Sequence, residues 1–264
     1  MSYLYSEKDR KKIERARQDE KIMGAYGISY CLIEDAQYPS VMRELKGMPP
    51  LLYYKGNIEI FNQQKSVAVI GSRKMSEEAI KLAYSTGTVV AEKGLNLVNG
   101  LALGCDTQAL RGALDAGGRC VAILPCGLEQ VQPKSNQWLA DKILDKGGCL
   151  ISEYPIGTSV QKHQYVERDR LQSGVSQGVL IIEAEINSGT MHTARFASAQ
   201  ARRLACYYHA LLGLSSGNKY LEETEKAQAL KTKGDLEDFL DGIQKIKSYE
   251  QLTFDFSCDN QMNN

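Results

Sequence analysis

Short apolar segments alternate with helical patterns from Ser66 onward, and this alternation limits the possible folds more than any other feature. The predicted strands are 66–70, 95–98, 120–124, 148–152, 178–184 and 204–208. The predicted helices between them are 76–92, 106–116, 134–145, 165–175 and 188–202. Strands that are apolar along their whole length are typical of a parallel sheet that helices cover on both faces. The sequence therefore predicts a doubly wound α/β domain with a mainly parallel sheet.

Shorter segments flank this alternating region. We expect four parts: a charged arm or helix over 1–34, a lead-in helix and strand over 35–64, the α/β domain over 65–247, and a polar tail over 248–264. A weak helical stripe over 6–23 predicts a surface helix or a frayed arm. In the lead-in, an amphipathic pattern predicts a helix over 35–47, and Leu51–Tyr54 a strand. Two further helices are predicted near 218–231 and 235–245.

Composition and charge exclude several classes of protein. Lys plus Arg and Asp plus Glu are balanced at 32 each, so a binding site for a polyanion would have to be a local patch. The sequence has no apolar run long enough for a membrane span and no signal-peptide pattern. The seven cysteines form no CxxC pair and only three histidines are present, which argues against a zinc site. We expect a cytoplasmic protein without a metal or cofactor.

The first predicted strand runs directly into Gly71-Ser72-Arg73, ahead of a helix that opens near Ser76. A glycine turn lets the main chain approach a phosphate, and the amides at the start of a helix stabilise its charge. Arg73 adds a planar, permanently charged group suited to phosphate oxygens. A phosphate-bearing ligand is the hypothesis. An ordinary turn with a solvated arginine is the alternative.

Other loops that follow predicted strands contain small or polar residues. Because the carboxyl ends of parallel strands lie at one edge of a sheet, we expect these loops to form one ligand pocket. Asn99 and Gly100 are candidate phosphate contacts, and Asp106 is interpreted as the cap of a helix starting at Thr107. The segment Ser188, Gly189 and Thr190 either caps the next helix or binds phosphate.

Basic and aromatic residues complete the candidate site. Arg168 and Arg170 are two positions apart on a predicted helix and so cannot bind one phosphate together. One should face the ligand, while the other pairs with an acidic residue. Lys134 is a further candidate for phosphate, and Tyr165 and Trp138 for stacking on bases. Packing in the core is the alternative for both aromatic residues, and we prefer it for Trp138.

Motifs of several enzyme classes are missing from the sequence. It has no GxGxxG in the first turn, no GxxxxGK[ST], and no serine or cysteine in a nucleophile elbow. Glu153, Glu183 and Glu185 follow predicted strands, but their spacing selects no reaction. We therefore assign no catalytic residue from these motifs, and an acid/base pair among the three glutamates stays an alternative.

The run from Lys65 to about Tyr208 resembles the DNA-processing protein A (DprA/Smf) family of bacteria. The matching segments are VAVIGSR (67–73), NGLALGCDTQALRGALDAGG (99–118), AILPCGLEQVQPKSN (122–136), ISEYPIG (151–157), ERDRLQSGVSQGVLIIEA (167–184) and SGTMHTARFA (188–197). The preceding segment 38–57 is also similar to that family's lead-in. The order and spacing of these segments make the resemblance specific.

The resemblance implies an extended Rossmann-like fold that binds single-stranded DNA, forms a homodimer and helps to load a RecA-type recombinase during natural transformation. It also implies a protein that is not an enzyme. The family's binding residues fall on Gly71, Ser72 and Arg73, on Lys134, on Arg168 and Arg170, and on Ser188, Gly189 and Thr190.

The sequence departs from the family pattern at several positions. Leu103 replaces an arginine, Asp169 replaces an asparagine and Asn99 replaces a serine. These changes make the expected site less basic. We also expect a divergent member without a C-terminal winged-helix domain.

A small-molecule site is the alternative function on the same fold, either a nucleotide sensor or a phosphoribohydrolase of the LOG type. Those hydrolases carry a PGGxGTxxE loop. The matching segment here, SGTMHTARF, has no glutamate at the corresponding place, which argues against that reaction. A scaffold that works through protein contacts is a third interpretation.

Overall fold

The computed structural model describes residues 6–43, 45–213, 215–225 and 227–246. The expected polar tail over 248–264 lies outside these residues, as do the first five residues and Cys258.

One sheet contains all nine strands of the described residues. They are β1 (Ile28–Leu32), β2 (Leu51–Gly56), β3 (Ser66–Ile70), β4 (Asn96–Asn99), β5 (Cys120–Ile123), β6 (Cys149–Ser152), β7 (Gly178–Ile181), β8 (Arg203–Tyr207) and β9 (Gln228–Leu230). Their order is β1-β2-β6-β5-β4-β3-β7-β8-β9. The β1/β2 and β2/β6 pairs are antiparallel, and the remaining pairs are parallel. The predicted mainly parallel sheet is confirmed.

Helices cover both faces of this sheet. They are α1 (Glu7–Ala25), α2 (Ile60–Gln63), α3 (Glu77–Glu92), α4 (Cys105–Asp115), α5 (Gln137–Asp145), α6 (Lys162–Gly174), α7 (Thr190–Ala199), α8 (Ser216–Glu223) and α9 (Lys233–Gln244). On β3, Val67 and Val69 join a core shared with α1, α3, α4, α5 and α9. The alternate residues Ala68 and Ile70 join a second core shared with α2, α6, α7 and α8. Burial of both faces explains why the central strands are continuously apolar.

The strand order reverses at β3. From β3 the chain proceeds through β4, β5 and β6 in one direction, and β7 then returns to the opposite side of β3. The connections that leave β3 and β7 therefore lie on opposite faces and diverge. In open α/β sheets this divergence leaves a crevice at the carboxyl ends of the two strands, where ligands bind.

The predicted N-terminal helix is confirmed and is attached to the sheet. Ser6 caps α1 by accepting a hydrogen bond from the amide of Asp9 at 3.2 Å, and the Asp9 carboxylate accepts from the Ser6 amide in return. Ile13, Ala16 and Met23 are buried in the first core. This weak apolar stripe packs α1 on one face of the sheet, beside β1 and β2.

The predicted helix over 35–47 is wrong. Within the described residues of this segment only a single 3-10 turn forms, at Ser40–Met42. Side-chain bonds to the backbone hold the segment instead, because the Tyr38 hydroxyl donates to the Pro49 carbonyl at 2.7 Å and Arg43 donates to the Asp35 carbonyl at 2.7 Å. Tyr38 is fully buried and anchors this lead-in beneath the sheet.

Two strands at the sheet edges were not predicted. β1 pairs with β2, and β9 pairs with β8 in a segment where the sequence predicted helix over 218–231. The helix there ends at Glu223 instead. In both cases pairing with a neighbouring strand decides the conformation of a short segment whose local pattern is weak. No helix of the described residues combines the length and apolarity needed to cross a membrane.

Candidate functional site

A cavity of about 530 Å³ opens where β3 and β7 end. Its walls are the end of β3 and the loop after it (70–74), the loop after β7 with the first turn of α7 (185–193), and one face of α6. Ala102 before α4 and Asp106 in the first turn of α4 complete them. We call it the switch-point cavity. The predicted pocket at the sheet edge is therefore present, and seven of the predicted binding residues line it together with Tyr165. Those seven are Gly71, Ser72, Arg73, Arg168, Ser188, Gly189 and Thr190.

The loop after β3 is held by its own backbone. The Ser72 amide donates to the Glu183 carbonyl at 2.8 Å, and the Ser72 carbonyl accepts from the Cys105 amide at 3.1 Å. Gly104 has a φ of +78° and packs on this loop, where a Cβ would overlap the Arg73 carbonyl. The Ser72 amide is therefore not available to a phosphate, because it closes the end of β7.

The start of α3 is also occupied by protein groups. The Ser76 hydroxyl accepts from the Ala79 amide at 3.2 Å, and the Ser76 amide donates to the Glu183 carboxylate at 3.0 Å. The helix that follows Gly71-Ser72-Arg73 thus does not present its first turn to the cavity. Its positive end is balanced by the acidic residues Glu77 and Glu78.

Arg73 supplies an exposed positive charge at the mouth of the cavity. Its guanidinium carbon lies 5.5 Å from the centroid of the Tyr165 ring, a cation–π contact. No carboxylate of the described residues lies within 4.0 Å of its nitrogens. The tyrosine orients the guanidinium without neutralising its charge.

Arg168 is a buried cation in the wall of the same cavity and only 5% exposed. Its Nη1 donates to the Ile123 carbonyl at 2.7 Å, and its Nε lies 3.2 Å from Oδ1 of Asp169. Gly100 packs against the guanidinium so closely that a Cβ there would overlap Nη1. The absence of a side chain at Gly100 therefore makes room for Arg168.

Asn99 and Gly100 shape the loop after β4 and do not line the cavity. The Asn99 amide group donates to the Asp106 carbonyl at 3.1 Å and accepts from the Leu101 amide at 3.1 Å. The Gly100 amide donates to Oδ2 of Asp106 at 2.9 Å, and Ala102 donates to the same oxygen at 3.1 Å. The capping interpretation of Asp106 is thus wrong, because α4 begins at Cys105 and this carboxylate holds the loop instead.

Two buried carboxylates flank Arg168. Burial raises the pKa of Asp106 to about 6, although the charge of Arg168 opposes the shift. Burial raises the pKa of Asp169 to about 6 as well, again against the effect of Arg168. The cavity wall therefore contains a buried cation together with two carboxyl groups whose pKa values are raised by burial.

Arg170 lies outside the cavity. It forms an ion pair with Glu153, with a nitrogen–oxygen distance of 2.5 Å. Arg168 lines the cavity while Arg170 pairs with an acidic residue, which is the division that their helical spacing predicts.

Ser188, Gly189 and Thr190 form the start of α7 at the cavity wall. No side chain of the described residues caps this helix. The Ser188 hydroxyl oxygen is inaccessible to solvent and has no hydrogen-bond partner in the described part of the chain. The Ser188 amide donates to the Glu185 carbonyl at 2.9 Å. Of the two roles predicted for this segment, side-chain capping is wrong, and phosphate binding stays a prediction.

Lys134 and Trp138 are exposed and do not line the cavity. Lys134 starts a 3-10 turn before α5, and Trp138 is 49% exposed. The preferred core role of Trp138 is therefore wrong. Asn136 lies between the two residues and donates to the Leu101 carbonyl at 2.8 Å, which joins this segment to the loop after β4.

Glu185, which the sequence places after a predicted strand, lines the cavity, while the prediction missed Lys74, Gln172, His192 and Thr193 in its wall. Gln172 lies on the same helical face as Tyr165 and Arg168, so their spacing contained a usable signal. In the described residues no three His, Cys, Asp or Glu side chains are grouped so that they could hold a metal ion.

Comparison with known proteins gives consistent matches. DNA processing protein A of Streptococcus pneumoniae is 35% identical over 196 residues, which cover 73% of this chain and 67% of that protein. Its crystal structure has a TM-score of 0.74 at 32% identity, covering 85% of this chain and 79% of that chain. The structure of DNA processing protein A from Helicobacter pylori has a TM-score of 0.72 at 27% identity, covering 82% and 96%.

The Smf protein of Synechocystis is 32% identical over 168 residues, which are 62% of this chain but only 42% of that longer protein. The family model described as DNA recombination-mediator protein A matches residues 29–241. The chain therefore belongs to the DNA recombination-mediator protein A family, whose members include the DNA processing protein A and Smf proteins of bacteria.

Proposed function

We propose that the protein binds single-stranded DNA through phosphate groups that enter the switch-point cavity. The observation that carries this proposal is the convergence of Arg73 with the unpartnered Ser188 hydroxyl and the uncapped start of α7 on one crevice. An exposed guanidinium and free amides at a helix start are suited to phosphate oxygens. The relative from Helicobacter pylori binds single-stranded DNA, and it shares this fold.

The remaining predicted residues take different roles in this proposal. Asn99, Gly100 and Arg170 are assigned to shaping the site, because their polar groups or space are used by the protein itself. We assign Lys134 and Trp138 to a surface over which the bound DNA continues beyond Ala102. An exposed indole there would stack on a base, and an exposed ammonium would contact the backbone. Because the Arg73 guanidinium covers part of the Tyr165 ring, a base would stack only on the part of the ring that stays uncovered.

The test is binding of fluorescent oligothymidylate of about 20 nucleotides, measured by anisotropy at several salt concentrations. We expect micromolar or tighter binding at low salt that weakens steeply as salt rises. Double-stranded DNA of the same length should bind more weakly. Binding that is undetectable at low salt, or independent of salt, would contradict the proposal.

Arg73→Glu is the decisive variant. It should weaken binding at least tenfold without changing the free energy of unfolding, because the side chain is exposed. The matched control is Arg111→Glu, which makes the same charge change at an exposed position of α4 outside the cavity. Equal losses for both variants would indicate a general charge effect and would remove the cavity from the proposal.

A mononucleotide is the alternative ligand, because the cavity volume of about 530 Å³ suffices for one. Thermal-shift measurements with nucleoside mono-, di- and triphosphates test this directly. A shift with a mononucleotide, together with no response to oligothymidylate, would favour the nucleotide sensor.

We also propose that the protein acts as a homodimer in the cytoplasm and assists a RecA-type recombinase on single-stranded DNA. Membership of the recombination-mediator family supports this proposal. Light scattering would establish the oligomeric state. Faster assembly of a recombinase filament on single-stranded DNA that is coated with a single-strand-binding protein would support the role with a RecA-type recombinase. An unchanged rate of assembly would contradict it.

A further inference from the structure

The charged side chains of the switch-point cavity are balanced in sign. Three cations line it, Arg73, Lys74 and Arg168, together with three carboxylates, Asp106, Asp169 and Glu185. His192 is the remaining titratable side chain of the wall apart from Tyr165. A cavity with this balance attracts a polyanion weakly unless one of the carboxylates is neutralised or displaced.

Asp169 is the carboxylate in direct contact with the buried cation. It is 8% exposed, and its Oδ1 lies 3.2 Å from Nε of Arg168. Arg73 is close enough to favour its ionised form. The other charged or titratable side chains of the wall are Asp106 on α4, Glu185 after β7, His192 on α7 and Lys74 after β3.

Gln172 adds a second, independent observation at the same point. Its Nε2 donates to Oδ1 of Asp169 at 2.8 Å, while its own Oε1 is buried without a hydrogen-bond partner in the described residues. Rotation of the amide by 180° would present Oε1 to Asp169 instead. Gln172 can therefore bind the ionised carboxylate as a donor and the protonated carboxyl group as an acceptor.

We propose that Asp169 is an internal competitor of the DNA phosphate: its carboxylate occupies Arg168 when no DNA is bound, and it sets how strongly the cavity binds anions. This inference rests on the proposed function, since the anion is taken to be a DNA phosphate. A phosphate reaching Arg168 meets a carboxylate already paired with it, and the two negative charges repel each other. Protonation of Asp169 removes the repulsion, and the positive charge of Arg168 then attracts the phosphate without competition.

The surroundings of Asp169 place this protonation in an accessible range. Burial raises its pKa to about 6, with Arg168 opposing the shift. Affinity for a phosphate should accordingly increase as the pH falls from about 7.5 to about 5.5. Asp106 ionises in the same range and contributes to this increase, so the share that belongs to Asp169 has to be isolated by substitution.

Asp169→Asn is the test because asparagine keeps the shape and can still accept the bond from Gln172. We expect this variant to bind oligothymidylate about tenfold more tightly than the natural chain at about pH 7.5. Its affinity should rise less on acidification than that of the natural chain. Thymine bases do not titrate in this range, so the profile reports on the protein. Asp115→Asn is the control, because it removes one carboxylate from the exposed surface of α4 and should change affinity less than twofold.

Equal or weaker binding by folded Asp169→Asn at about pH 7.5 would overturn the inference. If this variant does not fold, the pH profile of Asp106→Asn decides, because this substitution removes the contribution of Asp106 and keeps Asp169. An affinity of Asp106→Asn that stays constant from about pH 7.5 to about pH 5.5 overturns the inference. Inorganic pyrophosphate, titrated by calorimetry at one pH, separates the two proposals. Tighter pyrophosphate binding by the variant, with no DNA binding by either protein, would support the role of Asp169 and contradict the DNA function. If both proteins bind pyrophosphate equally and bind DNA equally, the DNA function is supported and the role of Asp169 is contradicted.

Discussion

The guanidinium of Arg168 lies against Gly100, in space that any side chain at that position would fill. The contact connects two walls of the switch-point cavity, because Arg168 belongs to α6 and Gly100 to the loop after β4. The same loop is held by Asp106, whose carboxylate accepts the Gly100 amide at 2.9 Å. A cation and an acid from different elements thus fix one short loop.

Replacing Gly100 with alanine should disturb both stability and binding. A Cβ at this position overlaps Nη1 of Arg168, so the guanidinium has to move from its bond with the Ile123 carbonyl. We expect a loss of about 1–3 kcal/mol in the free energy of unfolding, measured by urea denaturation. DNA affinity should fall as well. Gly24→Ala is the control, since a Cβ there meets nothing within 4 Å and α1 should become slightly more stable.

The two arginines of α6 should respond differently to substitution. Arg168→Met removes a cation from the cavity, so it should weaken DNA binding at least tenfold. Arg170→Met should leave DNA affinity within about threefold and lower the free energy of unfolding by about 3 kcal/mol, because it strands the buried Glu153. The double variant Arg170→Met with Glu153→Gln should regain part of that loss. Denaturation and anisotropy together check this division, and a larger loss of binding for Arg170→Met would contradict it.

Asp106 should make the protein less stable as the pH rises. Its pKa is raised from 3.8 to about 6 by burial, so between these values the folded state holds a proton that the unfolded state has released. The free energy of unfolding therefore decreases as the pH rises from about 4 to about 7, by about 3 kcal/mol at most. Above about pH 7 Asp106 is ionised in both states, so its effect no longer changes with pH.

Asp106→Asn should lack this decrease, so its stability relative to the natural chain should improve from about pH 4 to about pH 7 in urea denaturation. Asp115→Asn is the control. The pKa of Asp115 is lowered from 3.8, chiefly by its bond to Lys142, so its contribution changes only below about pH 4. A difference for Asp106→Asn that does not vary with pH would show that the carboxyl group is not perturbed in the folded protein.

Trp138 should contribute to binding and little to folding. The side chain is about half exposed, so Trp138→Ala should change the free energy of unfolding by less than about 1 kcal/mol. A stacked base is worth about 1–3 kcal/mol, which corresponds to a loss of roughly 5- to 150-fold in affinity for oligothymidylate. Tyr26→Ala, which removes another half-exposed aromatic ring at the end of α1, should leave affinity unchanged. If Trp138→Ala binds oligothymidylate with unchanged affinity, the bound DNA does not pass over Trp138.

The sequence by itself determined the parallel sheet, its two helical layers and the position of the switch-point cavity. Buried strands require apolar residues on both faces, so short segments such as 66–70 and 178–181 can be recognised from their own residues. Because ligands of such sheets lie beyond the strand ends, Arg73 and the segment Ser188–Thr190 were found from their order in the chain.

Tertiary structure alone decided which polar groups remain available. Local pattern cannot show that the Ser72 amide closes the end of β7, that Asp106 holds the loop after β4, or that Arg170 is neutralised by Glu153. Nor can it show that β9 pairs with β8 where a helix was expected. Each of these contacts joins residues that are far apart in the chain or belong to different elements. Their energies depend on distance and burial, which exist only once the sheet has brought the elements together.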